Sequence, residues 1–194
     1  MNHLAHIYLS CQDGNLLTGN FMADFITTKD IKSLPPYLKQ GIELHKSIDH
    51  FTDHHPEVKK CILLLRPTQG KYSPVVVDIL FDYFLIKNWD IFSSESFEVF
   101  KNKVYDHLIS LSDTFPEKLK MALPKMINSD FLMSCYNEER LNKTFDHLSR
   151  RVHFPHNFGS VTADLKANSE ALESHFLSFF PDLISHVQPF CNCK

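Results

Sequence analysis

The stretch Val75-Val76-Val77-Asp78-Ile79-Leu80-Phe81-Asp82-Tyr83-Phe84-Leu85 decides how this chain folds. Apolar side chains fill nearly every position, and Asp78 and Asp82 interrupt them four residues apart. On a helix, residues i and i+4 share a face, so the two carboxylates stand one above the other in an otherwise apolar rod. An unpaired buried carboxylate costs on the order of several kcal/mol, and two side by side repel. A fold that keeps the pair is therefore expected to use it to hold a metal or a proton.

A second segment, Leu44-His45-Lys46-Ser47-Ile48-Asp49-His50-Phe51-Thr52-Asp53-His54-His55-Pro56, offers complementary ligands. At a turn of about 100° per residue, His45, Asp49 and Asp53 span only about 80° of a helical face. His50, His54 and His55 point away from it, and Thr52-Asp53 can equally begin a turn, which leaves Asp53 a weaker candidate than Asp49. Asp24 interrupts the apolar Gly19-Asn20-Phe21-Met22-Ala23-Asp24-Phe25, and His6 lies in the hydrophobic N-terminal run. Mixed imidazole and carboxylate ligands suit Mn²⁺, Fe²⁺ or Zn²⁺, and Mg²⁺ where more oxygen and water take part. Helical bundles build metal sites in this way, from inward side chains on facing helices. Taken singly, each of these residues can also be a cap, a solvated side chain or a hydrogen-bonded core group. For Asp78 with Asp82 the flanking hydrophobes leave little solvated face, and the cation reading is preferred.

The 194 residues, 43% of them hydrophobic, suit one medium domain over 1–194 with a substantial core. Five glycines against 17 phenylalanines, in segments with helical spacing, predict an all-α bundle and argue against a turn-rich β-sandwich. The spacing predicts helices over 2–11, 15–28, 36–55, 57–66, 73–91, 94–112, 116–133, 138–152 and 159–187. Pro67 is expected to stop the fourth, and Pro124 to kink or split the seventh. Leu165, Leu172, Phe176, Phe179, Phe180 and Leu183 form a stripe along the last one, read as the helix that closes the bundle.

A formal net charge of −3 with neutral histidines gives no global electrostatic case for nucleic acid. Cys11, Cys61, Cys135, Cys191 and Cys193 are odd in number, widely spread and without a CxxC pair, so neither a disulfide framework nor a thiolate zinc site is expected. Cys191-Asn192-Cys193 reads as a frayed tail in preference to a metal-binding or lipidated one. With no secretory leader pattern and no apolar run approaching ~20 residues, the expected location is the reducing cytoplasm, with no membrane partner.

Residues 58–72 contain Lys59, Lys60, Arg66 and Lys71 and no acid after Glu57, so the stretch can receive an anionic substrate or serve as an ordinary solvated loop. Arg66 and Lys71, beside Pro67-Thr68-Gln69-Gly70, are the better candidates, and Arg150-Arg151 forms a second basic pair. No GxxxxGK[ST], GxGxxG or GxSxG occurs. That argues against a nucleotide-triphosphate motor, a Rossmann dehydrogenase and a serine hydrolase, and leaves metal-assisted hydrolysis.

Asn2-His3-Leu4-Ala5-His6, Gly19 to Phe25, Gly41-Ile42-Glu43-Leu44-His45-Lys46-Ser47-Ile48-Asp49, Asp53, Val77 to Leu85 and Leu148-Ser149-Arg150-Arg151 together resemble the bacterial acyl carrier protein phosphodiesterases. The resemblance runs from the first residue to about 180. It implies an all-helical fold related to the HD-domain metal phosphohydrolases. It also implies a Mn²⁺-dependent hydrolysis, with Mg²⁺ or Fe²⁺ as alternates, of the phosphodiester joining 4′-phosphopantetheine to a serine of acyl carrier protein. Carried over by motif, Asp24, His45, Asp49, Asp78 and Asp82 become the metal and catalytic candidates, with His6 in support. Arg66, Lys71, Arg150 and Arg151 become candidates for contact with the acidic carrier. Many relatives carry His where this chain has Tyr83. The alternatives are a related phosphohydrolase of a nucleotide or small phosphodiester, and a non-catalytic helical module that binds an acidic partner.

Overall fold

Helices begin where the chain supplies an acceptor or a proline. The computed structural model describes residues 1–11 and 13–191, and among them the regular elements are helices without strands. They are α1 (His3–Tyr8), α2 (Gly14–Met22), α3 (Thr28–Ser33), α4 (Pro36–His54), α5 (Pro56–Gln69), α6 (Ser73–Lys87), α7 (Trp89–Phe92), α8 (Phe97–Ser110), α9 (Glu117–Asn128), α10 (Glu138–Ser149) and α11 (Val161–Val187). Asp13 caps α2 by accepting from the amides of Asn15 and Leu16, Asn137 caps α10 through Arg140, and Thr27 with Asp30 forms a capping box on α3. Pro36, Pro56 and Pro74 occupy first-turn positions, where a missing N–H costs nothing.

The all-helical expectation holds, with differences at particular boundaries. The segment expected as one helix over 15–28 breaks after Met22 into a tight turn, Ala23–Phe25, followed by α3. Pro67 does not stop α5, which continues to Gln69 and ends at Gly70, whose φ of 55° needs a residue without a side chain. A proline in the last turn removes only one helical bond, to Leu63, and the apolar face of Val58, Cys61 and Leu65 keeps the helix in place. Pro124 likewise stays inside α9, which closes at Asn128 before Asp130 takes a left-handed conformation. The stripe on α11 is buried as expected, with Phe176 and Phe179 packed on Phe81 of α6 and Phe176 and Phe180 stacked 5.1 Å apart.

One helix crossing positions the site. Gly19 on α2 and Gly41 on α4 let the two backbones meet. A Cβ on Gly41 would lie 2.5 Å from the Leu16 carbonyl oxygen and 2.7 Å from the Asn20 nitrogen, and one on Gly19 would collide with the Leu38 carbonyl. This sets Asn20 of α2 beside His45 of α4.

The expectation of unpaired cysteines is corrected at one place: Cys11 and Cys191 form a disulfide with their Cα atoms 5.6 Å apart. Spacing could not reveal a pair 180 residues apart, which only the fold brings together. Cys61 and Cys135 are free and buried, and Cys193 lies outside the described residues. No helix among the described residues is long and apolar enough to cross a membrane.

Candidate metal centre

The centre assembles around the start of α1. No side chain of α1 or its N-cap Asn2 satisfies the first amides of this helix. Asp82 of α6 does so instead: its Oδ2 accepts from Leu4 N and its Oδ1 from Ala5 N, both at 3.1 Å. Free amides at a helix start carry partial positive charge, which gives a buried carboxylate a counterpart. Burial still pushes Asp82 up to about 6, against the opposing pull of the two amides. Both of its oxygens are thus engaged, and Asp82 stands outside the side chains that converge on the centre. One turn earlier on α6, Asp78 lies 3.3 Å from the Met1 ammonium, which is also 3.4 Å from Asp49 Oδ1. Burial raises Asp78 above the usual carboxylate range, and the ammonium opposes that shift. The two acids thus have separate partners, Asp78 the Met1 ammonium and Asp82 the amides of α1.

A ring nitrogen each of His6 and His45 and a carboxylate oxygen of Asp49 gather within 4.8 Å of one another. His6 comes from the last turn of α1, while His45 and Asp49 are one turn apart on α4. His6 Nε2 lies 3.1 Å from Asp49 Oδ1, and His45 Nε2 lies 3.2 Å from Asp49 Oδ2 and 3.4 Å from Asp24 Oδ1. The two imidazoles stack 4.1 Å apart at 17°. Asp24, on the turn after α2, also reaches His3 Nδ1 at 3.4 Å through its other oxygen. Asp24 and Asp49 keep 44% and 42% of their side-chain surface, so the centre opens to solvent on the carboxylate side.

Charge is shared unequally here. Burial lowers His6 to about 4 against the pull of Asp49, so it is neutral near pH 7. Burial opposes the charged form of His45 as well, but hydrogen bonds to Asp24 and Asp49 outweigh it and hold His45 at about 9. For Asp24 and Asp49 burial acts upward and is outweighed by their histidine partners, which hold both well below the usual carboxylate range. A single proton on His45 therefore serves two anions. Two imidazoles with their Nδ1 atoms anchored elsewhere, and two carboxylates open to water, form a donor set that fits a first-row divalent ion.

The sequence-predicted residues divide accordingly. His6, Asp24, His45 and Asp49 come together, Asp78 borders them through Met1, and Asp82 anchors α1. Asp53 is exposed, with no hydrogen bond or ion pair among the described residues. His50 and His54, both exposed on α4, pack ring to ring at a tilt of 38°, and His55 caps α5. Tyr83 is half-buried with its ring against Phe84. Sequence reasoning missed His3 and Asn20. The signal for His3 was its i, i+3 relation to His6; Asn20 gave none, since nothing in a lone amide announces two histidine partners. Arg66, Lys71, Arg150 and Arg151 are all exposed and lie outside the centre. The 66–71 and 150–157 stretches meet: Lys71 Nζ sits 3.6 Å over the ring of exposed Phe154, and Gln69 donates to the Asn157 carbonyl at 3.2 Å.

These features define a class: a helical protein whose first and fourth helices, with the turn after the second, converge histidines and carboxylates on one solvent-open point. The family model for acyl carrier protein phosphodiesterase matches residues 1–183. The chain is 27% identical to the acyl carrier protein phosphodiesterase of Salmonella paratyphi A over 188 residues, covering 96% of this chain and 97% of that one. It is 25% identical to that of Escherichia coli O6:H1 with the same coverage. The chain belongs to the acyl carrier protein phosphodiesterase family, and it is a phosphodiesterase. No solved structure matches, so kinship with the HD-domain phosphohydrolases has no structural counterpart.

Proposed function

We propose that residues 1–194 act as a single metal-dependent domain that hydrolyses the phosphodiester joining 4′-phosphopantetheine to a serine of holo acyl carrier protein. The products are apo carrier protein and 4′-phosphopantetheine. The observation that carries the reading is the convergence of His6, His45 and Asp49 in a chain whose relatives are named for this reaction. These three, with Asp24 beside His45, would hold a divalent ion, taken as Mn²⁺ with Mg²⁺ or Fe²⁺ as alternates. Bound there, it would lower the pKa of water and neutralise a nonbridging phosphoryl oxygen.

The chain's own groups do the rest. Asp24, whose side chain is open to solvent, and half-buried Asp78 are the acids placed to orient a water or take its proton. Asp82 holds the start of α1 and thereby fixes where His6 points. The scissile bond lies at the carrier's own serine, so the docking face must border the centre. Lys71 precedes α6 by two residues, and Asp78 lies only about 8 Å of helical rise into that helix. Arg66, Lys71, Arg150 and Arg151, unpaired with any carboxylate among the described residues, supply a positive face for an acidic carrier on a net-negative enzyme. We place the reaction in the cytoplasm.

The test is a mass measurement on purified holo acyl carrier protein incubated with the enzyme, with and without Mn²⁺ and after chelation. Loss of the phosphopantetheine mass only with metal is expected. Inert holo carrier beside turnover of a nucleotide would point to a related phosphohydrolase, and carrier binding unaffected by chelator without turnover would point to a binding module.

A further inference from the structure

Asn20 touches both imidazoles of the centre and is itself fully buried. Its Oδ1 lies 2.9 Å from His6 Nδ1 and 3.1 Å from His45 Nδ1, and its backbone carbonyl lies 3.0 Å from the same His45 nitrogen. The other end of the amide is fixed independently. Asn20 Nδ2 donates to the His6 carbonyl at 2.8 Å and to Ser10 Oγ at 3.1 Å, while Ser10 Oγ also donates to the His6 carbonyl at 2.9 Å. A carbonyl oxygen can only accept, so reversing the amide would set oxygen against oxygen at that contact. The orientation follows from chemistry: nitrogen toward the His6 carbonyl, oxygen toward the two rings.

That orientation dictates where the ring protons sit. An acceptor facing Nδ1 requires a proton on Nδ1, and a neutral imidazole so protonated carries its lone pair on Nε2. The His6 lone pair then faces Asp49 Oδ1, another acceptor, at 3.1 Å. Two acceptors at that distance repel unless positive charge lies beside them, which the Met1 ammonium, 3.4 Å from the same Asp49 oxygen, and the His45 proton supply in the metal-free protein. The same amide thus aims two Nε2 atoms at the carboxylates, where a divalent cation would take the place of that charge. The Gly19–Gly41 crossing is what lets the Asn20 carbonyl reach His45 at all.

We propose that Asn20 is a positioning residue that fixes both His6 and His45 with Nδ1–H inward and Nε2 toward the carboxylates, and so sets the affinity of the centre for a divalent cation. This rests on the cation reading of the site and is independent of the substrate. Hydrogen-bond partners that orient metal-ligating histidines characteristically contribute about 10- to 100-fold in metal affinity when removed.

The experiment reads two quantities on metal-free protein. Long-range ¹H–¹⁵N correlation of the histidine rings is expected to show His6 as the Nδ1–H tautomer in wild type, and a shift toward Nε2–H in Asn20→Ala. Titration with Mn²⁺ is expected to show affinity lowered about 10- to 100-fold in Asn20→Ala. Asn20→Asp keeps one oxygen toward both rings but sets the other against the His6 carbonyl, so it should lose thermal stability while retaining the His6 tautomer. Ser10→Ala removes a partner of the amide nitrogen only and should leave affinity within about threefold, below the range for ring-orienting partners. A purely structural role would move thermal stability but not the tautomer. His6 as Nε2–H in wild type, or wild-type Mn²⁺ affinity in folded Asn20→Ala, overturns the proposal. If Asn20→Ala does not fold, the wild-type tautomer and Asn20→Asp still decide it. If wild type takes up no divalent ion, the cation reading falls, and the tautomer measurement separately reports whether Asn20 orients the rings.

Discussion

Raising the pH from 7 to 8 is expected to tighten Mn²⁺ binding about tenfold, because the ion competes with one particular proton. In the metal-free protein burial disfavours the His45 cation, but Asp24 and Asp49 outweigh that and hold it at about 9. At pH 7 the Nε2 proton therefore points at both carboxylates, on the nitrogen that a ligand would use. Binding must expel it, so log affinity should rise by about one per pH unit up to about 9 and then level off; each unit corresponds to about 1.4 kcal/mol. Burial holds His6 at about 4, already deprotonated, and Asp24 and Asp49 are ionised throughout.

Isothermal titration at pH 7 in two buffers of different ionisation enthalpy counts the proton directly. One proton released per ion, with the tenfold gain at pH 8, is the expected result. A second proton would mean that another protonated group at the centre is displaced as well, the Met1 ammonium beside Asp49 and Asp78 being the nearest. No proton and a flat affinity between pH 7 and 8 would remove His45 Nε2 from the ligand set. His45→Gln should bind weakly and lose the slope.

Other outcomes follow from single contacts. Asp82→Ala strands the buried amides of Leu4 and Ala5 and should cost about 2 to 4 kcal/mol in denaturant unfolding, whereas an unchanged midpoint would deny the cap. Because the folded value of Asp82 is raised to about 6, its contribution is present below about pH 4 and lost as pH rises through 6; the stability profile of Asp82→Asn should lack that decline. Gly41→Ala drives a Cβ into the backbone of α2 at 2.5 Å and should cost about 1 to 3 kcal/mol and weaken metal uptake, an effect absent if α2 and α4 simply slide apart. Charge reversal of Arg66 with Lys71 should slow carrier turnover, flatten its dependence on salt and spare a small phosphodiester; wild-type behaviour would move docking to Arg150 and Arg151. Digestion without reductant should yield a linked pair of peptides containing Cys11 and Cys191, and their recovery only as separate thiols would restrict the bond to oxidising conditions.

The helical class and the α11 stripe were legible because they are periodic, and periodicity is a property of sequence. Breaks inside predicted helices were not: Pro67 and Pro124 are strong local signals that buried neighbours overrule, while the end of α2 after Met22 has no proline or glycine to mark it. At the centre, His6, Asp24, His45 and Asp49 could be picked out as polar interruptions of apolar runs, and the structure gathers them. The Cys11–Cys191 pairing and the double hydrogen bond of Asn20 depend on three-dimensional proximity alone.

Asp82 shows where the argument from burial stops. A carboxylate in an apolar rod calls for compensating positive charge, and each acid of α6 has a positively polarised partner. What burial cannot specify is the source of the charge. A divalent ion, an ammonium and the free amides of a helix start all satisfy a buried anion, and they differ in directionality more than in sign. Asp78 meets an ammonium and Asp82 the amides of α1, so neighbouring turns of one helix answer the same electrostatic demand differently. The consequence is mechanical: through these two hydrogen bonds Asp82 ties the helix that carries His6 to the core, and the placing of that imidazole depends on a side chain outside the cluster.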